Sequence, residues 1–433
     1  MQQTLFVIPY WVFQGPLLIG WIVISLGIIG FSVVKFGWKK ETLSRIPILL
    51  IVGLIIHFVL PNLMIEGTNP DDPNGPAIPI GLAVRGYGTM MLLAMLAGFG
   101  VFTSRATQVG VTIDALISVT FWIVVAGLVG ARTLYVIQYS HYFEADSMAD
   151  RLRLMVDMTR GGLVVYGSFV GAVIASVVVS RLHRIRYWLL ADLLAPAFML
   201  GLAIGRIGCF LNGCCFGGEC NVDWIGVRFP AGSPPYMRQL EQGELLGLIT
   251  DASSEYPQAR VVQRVVAGSI ADELGIEVGE TIEIRHPSER VIRDRIQGNL
   301  PIESTVTIWS TSHEPRAISL DRLAQPPLNR GLPVHPTQIY GAINAFLLGG
   351  VLFFVFPYRW REGDAFAMML MLYPITRFLL EYVRTDEAAI DPMGWFTISQ
   401  WISLMIMTTG LVLFFAVRQR QPIRETTVQA KLH

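Results

Sequence analysis

Long apolar runs, separated by short polar connections, dominate this chain. Because a helix needs roughly 20 mostly apolar residues to cross a bilayer, each run predicts one transmembrane helix. Nine such helices are predicted, near residues 11–34, 46–65, 86–103, 114–136, 162–181, 188–209, 338–357, 364–384 and 397–417. The pattern therefore indicates an all-α polytopic membrane protein. No Lys or Arg precedes Lys35, so the first run lacks the basic segment of a cleavable signal peptide and is interpreted as a retained helix.

Residues 218–332 break this pattern, with mixed polarity, charges of both signs and no spanning run. Within them, Val261–Ile282 resembles the strand, short helix and glycine-turned strand of a PDZ domain, and Ser304–Trp309 alternates like a further strand. The segment is therefore expected to be a small, β-rich, PDZ-like insertion. No glycine-rich carboxylate-binding loop precedes Val261, so peptide capture by strand addition is not expected. A plain β-rich spacer domain is the alternative.

The connections between the runs differ in charge, which predicts the orientation of the chain in the membrane. Basic residues collect on one side, at Lys35, Lys39, Lys40, Arg45, Arg105, Arg181, Arg184, Arg186, Arg359, Arg361, Arg418, Arg420 and Arg424. The positive-inside rule makes this side cytoplasmic. The N-terminus and residues 218–332 are therefore predicted outside, and the C-terminus inside.

Composition agrees with a membrane protein and excludes one class of partner. Of the 433 residues, 52% are hydrophobic and 15% charged, whereas soluble domains are about 25% charged. The bilayer is therefore an expected partner. The formal net charge is zero, so no global basic field favours nucleic acid, and no nucleic-acid partner is expected.

Arg206 closes the apolar run that begins at Trp188. A permanently charged guanidinium at such a depth is costly unless it meets an anion, so it marks a candidate functional site. On the predicted topology, other charged and glycine-rich positions fall near the same outer face, at Tyr87, Arg132, Tyr166, His335 and Arg377. Together they predict a site on the extracytoplasmic side.

A second charged stripe follows at Tyr373, Arg377, Glu381 and Arg384, which recur at helical spacing and share one face. Glu381 is placed to pair with either arginine and aim it inward. An ion-pair ladder that only holds helices together is the alternative. For Arg206 and Arg132 the alternative is snorkelling to the interface, and for the neighbouring glycines it is close helix packing.

Several separated motifs appear in the order found in the bacterial prolipoprotein diacylglyceryl transferases, which this chain resembles over residues 80–217 and 333–417. The motifs are Arg85-Gly86-Tyr87-Gly88, Gly130-Ala131-Arg132, Asp192-Leu193-Leu194-Ala195-Pro196, the stretch from Gly205 to Gly217, His335-Pro336-Thr337-Gln338-Ile339-Tyr340, and the stretch from Arg377 to Arg384. These enzymes move a diacylglyceryl group from phosphatidylglycerol to the lipobox cysteine of a lipoprotein precursor. Both molecules are therefore the expected partners, in a bacterial inner membrane.

The resemblance implies a division of the chain and a set of site residues. A seven-helix core, residues 80–217 and 333–417, is joined by two additional N-terminal helices within residues 1–79, the insertion 218–332 and a cytoplasmic tail, 418–433. Arg206 and Arg377 would grip phosphatidylglycerol, with Tyr87 and Tyr373 lining the site. The further residues expected to bind substrate are Arg132, Gly205, Gly208, Asn212, Gly217, His335, Gln338, Glu381 and Arg384.

Two departures from the family pattern concern the chemistry. Tyr166 stands where many members carry a histidine that is a candidate general base, and the ordinary pKa of tyrosine, near 10, suits that role poorly. Tyr166 is kept as the candidate at this position. Cys209 and Cys214 stand where other members have an asparagine and an acidic residue, although paired Cys214-Cys215 resembles a recurrent variant of the signature.

The four cysteines, Cys209, Cys214, Cys215 and Cys220, leave three interpretations open. Their spacing lacks a C-x2-C knuckle and a nearby histidine, which argues against zinc. A disulfide of Cys214 or Cys215 with Cys220 is possible on an oxidising face. Small side chains packing between helices are the favoured interpretation, so neither a metal nor a cofactor is expected.

Three other functions are alternatives to the transferase. An intramembrane metalloprotease needs His-Glu-x-x-His on a spanning helix, whereas His313-Glu314 lies in a polar segment without the second histidine. A transporter of an anionic solute would use Arg206 and Arg377 as its grip, but the two halves of the chain show no internal similarity. An inactive, lipid-binding family member is the third alternative.

Overall fold

The computed structural model describes residues 4–9, 12, 16–36, 65–67, 78–143, 147–157, 162–222, 224–252, 259–287, 292, 305–310, 313–326, 328–383 and 396–419. Their contacts divide the chain into two compact units, residues 1–90 and 91–433. Twelve α-helices form among the described residues: α1 Pro16–Phe36, α2 Gly86–Ala106, α3 Ile113–Gln138, α4 Met148–Val156, α5 Val165–Leu182, α6 Tyr187–Asn212, α7 Pro234–Glu241, α8 Ile270–Glu273, α9 Leu320–Leu323, α10 Thr337–Val355, α11 Asp364–Glu381 and α12 Ile398–Arg418.

The long helices match the predicted spans to within a few residues at each end. Among the described residues, six helices are long and apolar enough to cross a membrane: α2, α3, α5, α6, α10 and α12. Here α2 and α10 are counted together with the short turns that follow them. The helix α11 also coincides with a predicted span but carries Asp364, Arg377 and Glu381. The predicted span 46–65 lies outside the described residues, and the first predicted span corresponds to α1.

The first unit contains a small sheet that the apolar pattern did not predict. Strands β1 (Thr4–Pro9), β2 (Ile65–Gly67) and β3 (Ile78–Arg85) pair antiparallel in the order β1-β3-β2. The pairing joins segments about 70 residues apart in the chain, and short strands at that separation have no local signature. It brings the residues before α1 next to those before α2.

Helices α3 and α5 pack against one another through glycines. A Cβ atom on Gly130 would lie 2.3 Å from the carbonyl oxygen of Gly167, and one on Gly167 would lie 2.2 Å from that of Gly130. Gly171 approaches Ala126 in the same way, at 2.1 Å. Glycines on both helices, among them Gly130 of one family motif, therefore allow the two helix backbones to touch, as small residues do in membrane bundles.

We expect Gly167→Ala to destabilise the purified protein by about 1–3 kcal/mol, because a methyl group at this contact must push two backbones apart. Gly100→Ala is the matched control: this helical glycine on α2 has open space where its Cβ would stand, and alanine favours helix. Thermal unfolding in detergent measures both. An unchanged midpoint for Gly167→Ala would show that the α3–α5 crossing tolerates a wider spacing.

Asp192, from one of the family motifs, has a structural role in the second unit. Its buried carboxylate accepts hydrogen bonds from the backbone N–H groups of Gly363, at 2.8 Å, and Phe366, at 3.0 Å, and lies 3.4 Å from Nε of Arg359. It thereby caps the first turn of α11 from the side of α6. This interaction sets where α11 starts relative to the helix that carries Arg206.

The insertion contains a five-stranded antiparallel sheet. Its strands are β4 (Leu248–Ala252), β5 (Arg260–Val265), β6 (Thr281–Arg285), β7 (Thr305–Ser310) and β8 (Arg316–Ser319), in chain order across the sheet. The predicted strand, short helix, strand and later strand are confirmed as β5, α8, β6 and β7. A hydrophobic core unites the sheet with α7 and α9, and includes Tyr236, Leu246, Val262, Ile282 and Ile308.

The two ends of the insertion lie side by side, at Gly217 and His335. The backbone N–H of Gly217 donates to the carbonyl of His335, and the N–H of His335 donates to that of Gly218, both at 2.9 Å. Two further backbone hydrogen bonds, from Cys220 to Pro333 and from Val227 to Val334, extend the contact. The inserted segment therefore leaves and re-enters the helical part of the chain at one place.

His313 belongs to an ion-pair cluster inside the insertion. Its Nδ1 lies 3.2 Å from Oε1 of Glu280, which also accepts from Arg316 at 2.9 Å. Desolvation raises the pKa of Glu280, but hydrogen bonds from Ser310, from the backbone of Glu277 and from Arg316 outweigh it and lower the pKa below its usual value. The carboxylate therefore stabilises the insertion near neutral pH, and this contribution is lost as the pH falls through the lowered pKa.

Candidate active site

The chain reverses direction directly after α6, and this reversal shapes the candidate site. Gly213 adopts a left-handed conformation with φ 79° and caps α6 through hydrogen bonds from its N–H to the carbonyls of Cys209 and Phe210. Cys215 is also left-handed, with φ 57°, a conformation that costs a non-glycine residue about 1–2 kcal/mol. Strain of this kind is usually found where a site needs it.

The turn after α6 is fastened to the start of α10 by side-chain hydrogen bonds. Oγ1 of Thr337 donates to the carbonyl of Cys215, and Nε2 of Gln338 to that of Cys214, both at 2.7 Å. Gly217 is required beside them, because a Cβ there would lie within 2.9 Å of His335, Thr337 and a backbone oxygen. The predicted residues Gly217, His335 and Gln338 thus hold two helix ends together.

A small cavity opens among α6, α10 and α11. Its lining residues are Leu202, Arg206, Cys215, Thr337, Gly341, Asn344, Tyr373, Arg377 and Leu380. On each helix they recur at steps of three or four residues, the spacing that places side chains on one face. Three of the predicted catalytic residues, Arg206, Tyr373 and Arg377, are therefore brought to one cavity.

Arg206 has neither a hydrogen bond nor an ion pair with any residue in the described parts of the chain. Its side chain lies along Gly341, where a Cβ would stand 3.6 Å from Cδ and Nε of the arginine. A half-buried guanidinium without a protein partner has donors available for an anion. The cavity therefore presents a positive charge to whatever enters it.

Arg377 is held in place from two sides. Its Nη1 donates to Oε2 of Glu381, one helical turn further on, and its Nη2 donates to Oγ of Ser399 at 3.0 Å. The predicted pairing with Glu381 is confirmed. Glu381 is buried, and its other oxygen has no partner among the described residues. The pair orients one guanidinium in the cavity that Arg206 also lines.

Arg132, which is expected to bind substrate, donates its hydrogen bonds to the protein backbone in this structure. Its guanidinium donates to four backbone carbonyls, those of Leu154, Met155, Asp157 and Gly162, at 2.7 to 3.0 Å. The side chain is buried and stacks over the rings of Tyr135 and Phe143. Arg132 therefore fastens the segment between α3 and α5 and does not line the cavity.

The remaining predicted site residues lie at several different places in the chain. Tyr166 is half-exposed on the first turn of α5 and is not among the lining residues, while Gly205 and Gly208 lie on α6 beside Arg206. Asn212 ends α6, and its side chain bonds to the thiol of Cys214. Tyr87 belongs to the first compact unit, and Arg384 lies outside the described residues. Their roles stay predictions.

Three residues of α10 that line the cavity are not among the predicted site residues. Thr337, Gly341 and Asn344 are small or polar positions at i, i+4 and i+7 of the otherwise apolar α10. Nδ2 of Asn344 donates to Oγ1 of Thr376 at 2.7 Å, which links α10 to α11. A polar stripe at helical spacing in a membrane segment was the signal that could have identified them.

Fold and site together define a class: a multi-pass membrane protein with a cavity lined by two arginines, Arg206 and Arg377, which are suited to an anionic group. Comparison with known proteins identifies the family. Residues 76–416 match the prolipoprotein diacylglyceryl transferase family, and the chain belongs to that family.

Three named relatives extend this finding. A phosphatidylglycerol–prolipoprotein diacylglyceryl transferase of Rhodopirellula baltica is 31% identical over 96% of this chain and 89% of its own length. A second, from Clostridium perfringens, is 24% identical over 77% of this chain and 91% of its own. A third, from Finegoldia magna, is 23% identical over 77% and 91%. The first similarity covers the insertion as well as the helical core.

Proposed function

We propose that this protein transfers the diacylglyceryl group of phosphatidylglycerol to the thiol of a lipobox cysteine, forming a thioether and releasing glycerol phosphate. The observation that carries the proposal is the cavity that is lined both by Arg377 and by Arg206, which has no partner among the described residues. Family membership supports the same reaction. An anion transporter or an inactive lipid-binding scaffold would also use these two arginines, and family membership is what favours transfer over both.

The two arginines would hold the phosphodiester of the lipid. A guanidinium presents parallel donors that match two phosphate oxygens, and Glu381 with Ser399 fixes the direction of one fork. As the bond between the glyceryl carbon and oxygen breaks, negative charge grows on the departing phosphate. Donors already in place stabilise that charge at no cost of reorganisation. Tyr373 lines the same cavity and would orient the headgroup.

The proposed topology follows the loop charges. We place the N-terminus outside, the C-terminus in the cytoplasm and the cavity toward the extracytoplasmic face of a bacterial inner membrane, with nine spans in all. The pairing of β1 with β3 supports two spans between the N-terminus and α2, because paired strands must lie on one side of the membrane. An even number of membrane crossings must then separate the two strands, and two N-terminal spans meet this condition.

The insertion would select partners and take no part in the chemistry. We propose that residues 218–332 form a PDZ-like domain outside the membrane, and that residues 80–217 and 333–417 suffice for the reaction. The order strand, helix, strand, strand in β5, α8, β6 and β7 supports the domain. Its ends meet at Gly217 and His335, so an independent domain fits there without moving the helices.

The purified protein, incubated with phosphatidylglycerol labelled in its acyl chains and a lipobox peptide, should produce a labelled peptide heavier by one diacylglyceryl group. The same peptide with serine at the lipobox cysteine should stay unlabelled, because a hydroxyl is a far weaker nucleophile than a thiolate. Mass spectrometry identifies the product. An unmodified cysteine peptide, from protein that is folded and inserted, would refute the proposal.

Replacing residues 231–329 with a short Gly/Ser linker should leave transfer to a lipobox peptide within about threefold of wild type, because the hydrogen bonds at Gly217, Gly218, Cys220 and Val227 are retained. Transfer to full-length precursors should fall. Initial rates for both substrates measure the difference. Loss of transfer even to the peptide, in a normally inserted protein, would mean that the insertion builds part of the active site.

A further inference from the structure

Three cysteine side chains meet at the reversal after α6. The Sγ atoms of Cys209, Cys214 and Cys215 all lie within 4.8 Å of one another, and we refer to them as the thiol cluster. All four cysteines of the chain are thiols in this structure. Cys220 lies outside the cluster, with its Sγ directed to the carbonyl of Val222 at 3.6 Å. The arrangement joins three soft ligands that the sequence spacing did not suggest.

The backbone conformation explains how the cluster forms. Cys209 stands on the last turn of α6, and the left-handed Gly213 and Cys215 turn the chain so that both later thiols face it. The thiol of Cys209 is hydrogen-bonded to both of the others. Zinc–sulfur bonds of about 2.3 Å place the sulfurs of a tetrahedral site about 3.8 Å apart, so side-chain shifts of about 1 Å would complete the geometry.

A site with three cysteine ligands leaves one coordination position of zinc open, as in catalytic and not structural sites. Cys215 lines the cavity that contains Arg206 and Arg377, so the open position would face the cavity. Three thiolates and Zn²⁺ carry a net charge of minus one, which the neighbouring guanidinium of Arg206 offsets. A sulfur that binds zinc loses its proton at neutral pH.

We infer that the thiol cluster binds one Zn²⁺ ion and that its open position takes the thiol of the lipobox cysteine; this inference rests on the proposed transferase function. The incoming thiol gives up its proton to water when its sulfur binds. The sulfur then attacks the glyceryl carbon, the carbon–oxygen bond breaks, and glycerol phosphate leaves with the electron pair. The metal is unchanged. This would supply the activated thiolate that Tyr166, half-exposed on α5, is poorly suited to produce.

A metal-binding experiment on the full-length protein in lipid nanodiscs distinguishes a zinc site from cysteine side chains that only pack between helices. After treatment with a chelator, reloading with Zn²⁺ should give one equivalent bound in the wild type and in Cys220→Ser, the matched control outside the cluster. Cys214→Ser and Cys215→Ser should bind at least about tenfold more weakly. Reloading with Co²⁺ should give a thiolate-to-cobalt charge-transfer band, and a lipobox peptide should intensify it where the serine peptide does not.

Each result bears on a distinct claim. Absence of stoichiometric metal, with equal transfer before and after chelation, overturns the inference and leaves the transferase function standing. Metal binding with a cobalt spectrum that the cysteine peptide does not change overturns thiol activation. Absence of transfer in every form of the folded protein refutes the proposed function instead. One equivalent of metal, a peptide-dependent spectrum and transfer restored by Zn²⁺ establish the site.

Discussion

Arg206→Ala should reduce diacylglyceryl transfer by about 100-fold or more, the usual cost of removing one donor that stabilises charge in a transition state. Arg206 lines the cavity and has no partner among the described residues, so its donors are available to the lipid phosphate. Arg206→Lys should rescue little, because an ammonium keeps the charge and loses the planar fork. Initial rates with labelled phosphatidylglycerol and a lipobox peptide give the comparison.

The control for this experiment is Arg181→Ala, which removes an arginine exposed at the C-terminal end of α5. It should keep the wild-type rate, and both variants should insert and unfold like the wild type. Arg377→Ala is expected to match Arg206→Ala in its effect. Wild-type transfer by a correctly inserted Arg206→Ala protein would remove this residue from the site.

Arg132→Ala should act on stability and so differ from Arg206→Ala. Four carbonyls lose a charged donor, and the buried clamp between α3 and α5 opens. Leaving a buried carbonyl without its donor costs about 1–3 kcal/mol. We therefore expect a lower thermal midpoint and less protein in the membrane. Arg132→Lys should be destabilised too, because one ammonium cannot reach four acceptors spread around a fork.

Thr133→Ala is the matched control on the same helix, since its hydroxyl bonds only to the carbonyl of Val129 on the exposed side. Its unfolding should resemble that of the wild type. The decisive comparison is activity per folded molecule at low temperature. If Arg132→Ala unfolds normally and yet binds phosphatidylglycerol far more weakly, the arginine contacts substrate as the sequence suggested, and the clamp is incidental.

The sequence predicted the helices, and it predicted that Arg206 and Arg377 lie at one site, because both predictions depend on local patterns. An apolar run of spanning length has few alternatives to a helix, and an arginine at its end is costly enough to be conspicuous. Loop charges alone placed these arginines on one side. The insertion was predictable for the same reason: β5, α8 and β6 follow one another with glycine-marked turns.

Features that depend on backbone atoms distant in sequence were not predictable. The sequence around Arg132 does not indicate whether its guanidinium binds a phosphate or four backbone carbonyls. Every residue type has a backbone carbonyl, so the four acceptor residues share no sequence motif. The pairing of β1 with β3 is equally non-local. The thiol cluster requires two left-handed residues, Gly213 and Cys215, and cysteine is a residue type that rarely adopts that conformation.

The backbone contact between Gly217 and His335 has a consequence for the assembly of the enzyme during synthesis. The ribosome delivers Arg206 long before α10 and α11, and on the proposed topology the whole insertion must cross the membrane before His335 can dock against Gly217. Until then the cavity lacks two of its three walls, and a nascent chain holds a lone arginine with nothing to bind. The active site therefore matures late, and a segment that stalls in translocation leaves behind an inserted but inactive half-enzyme.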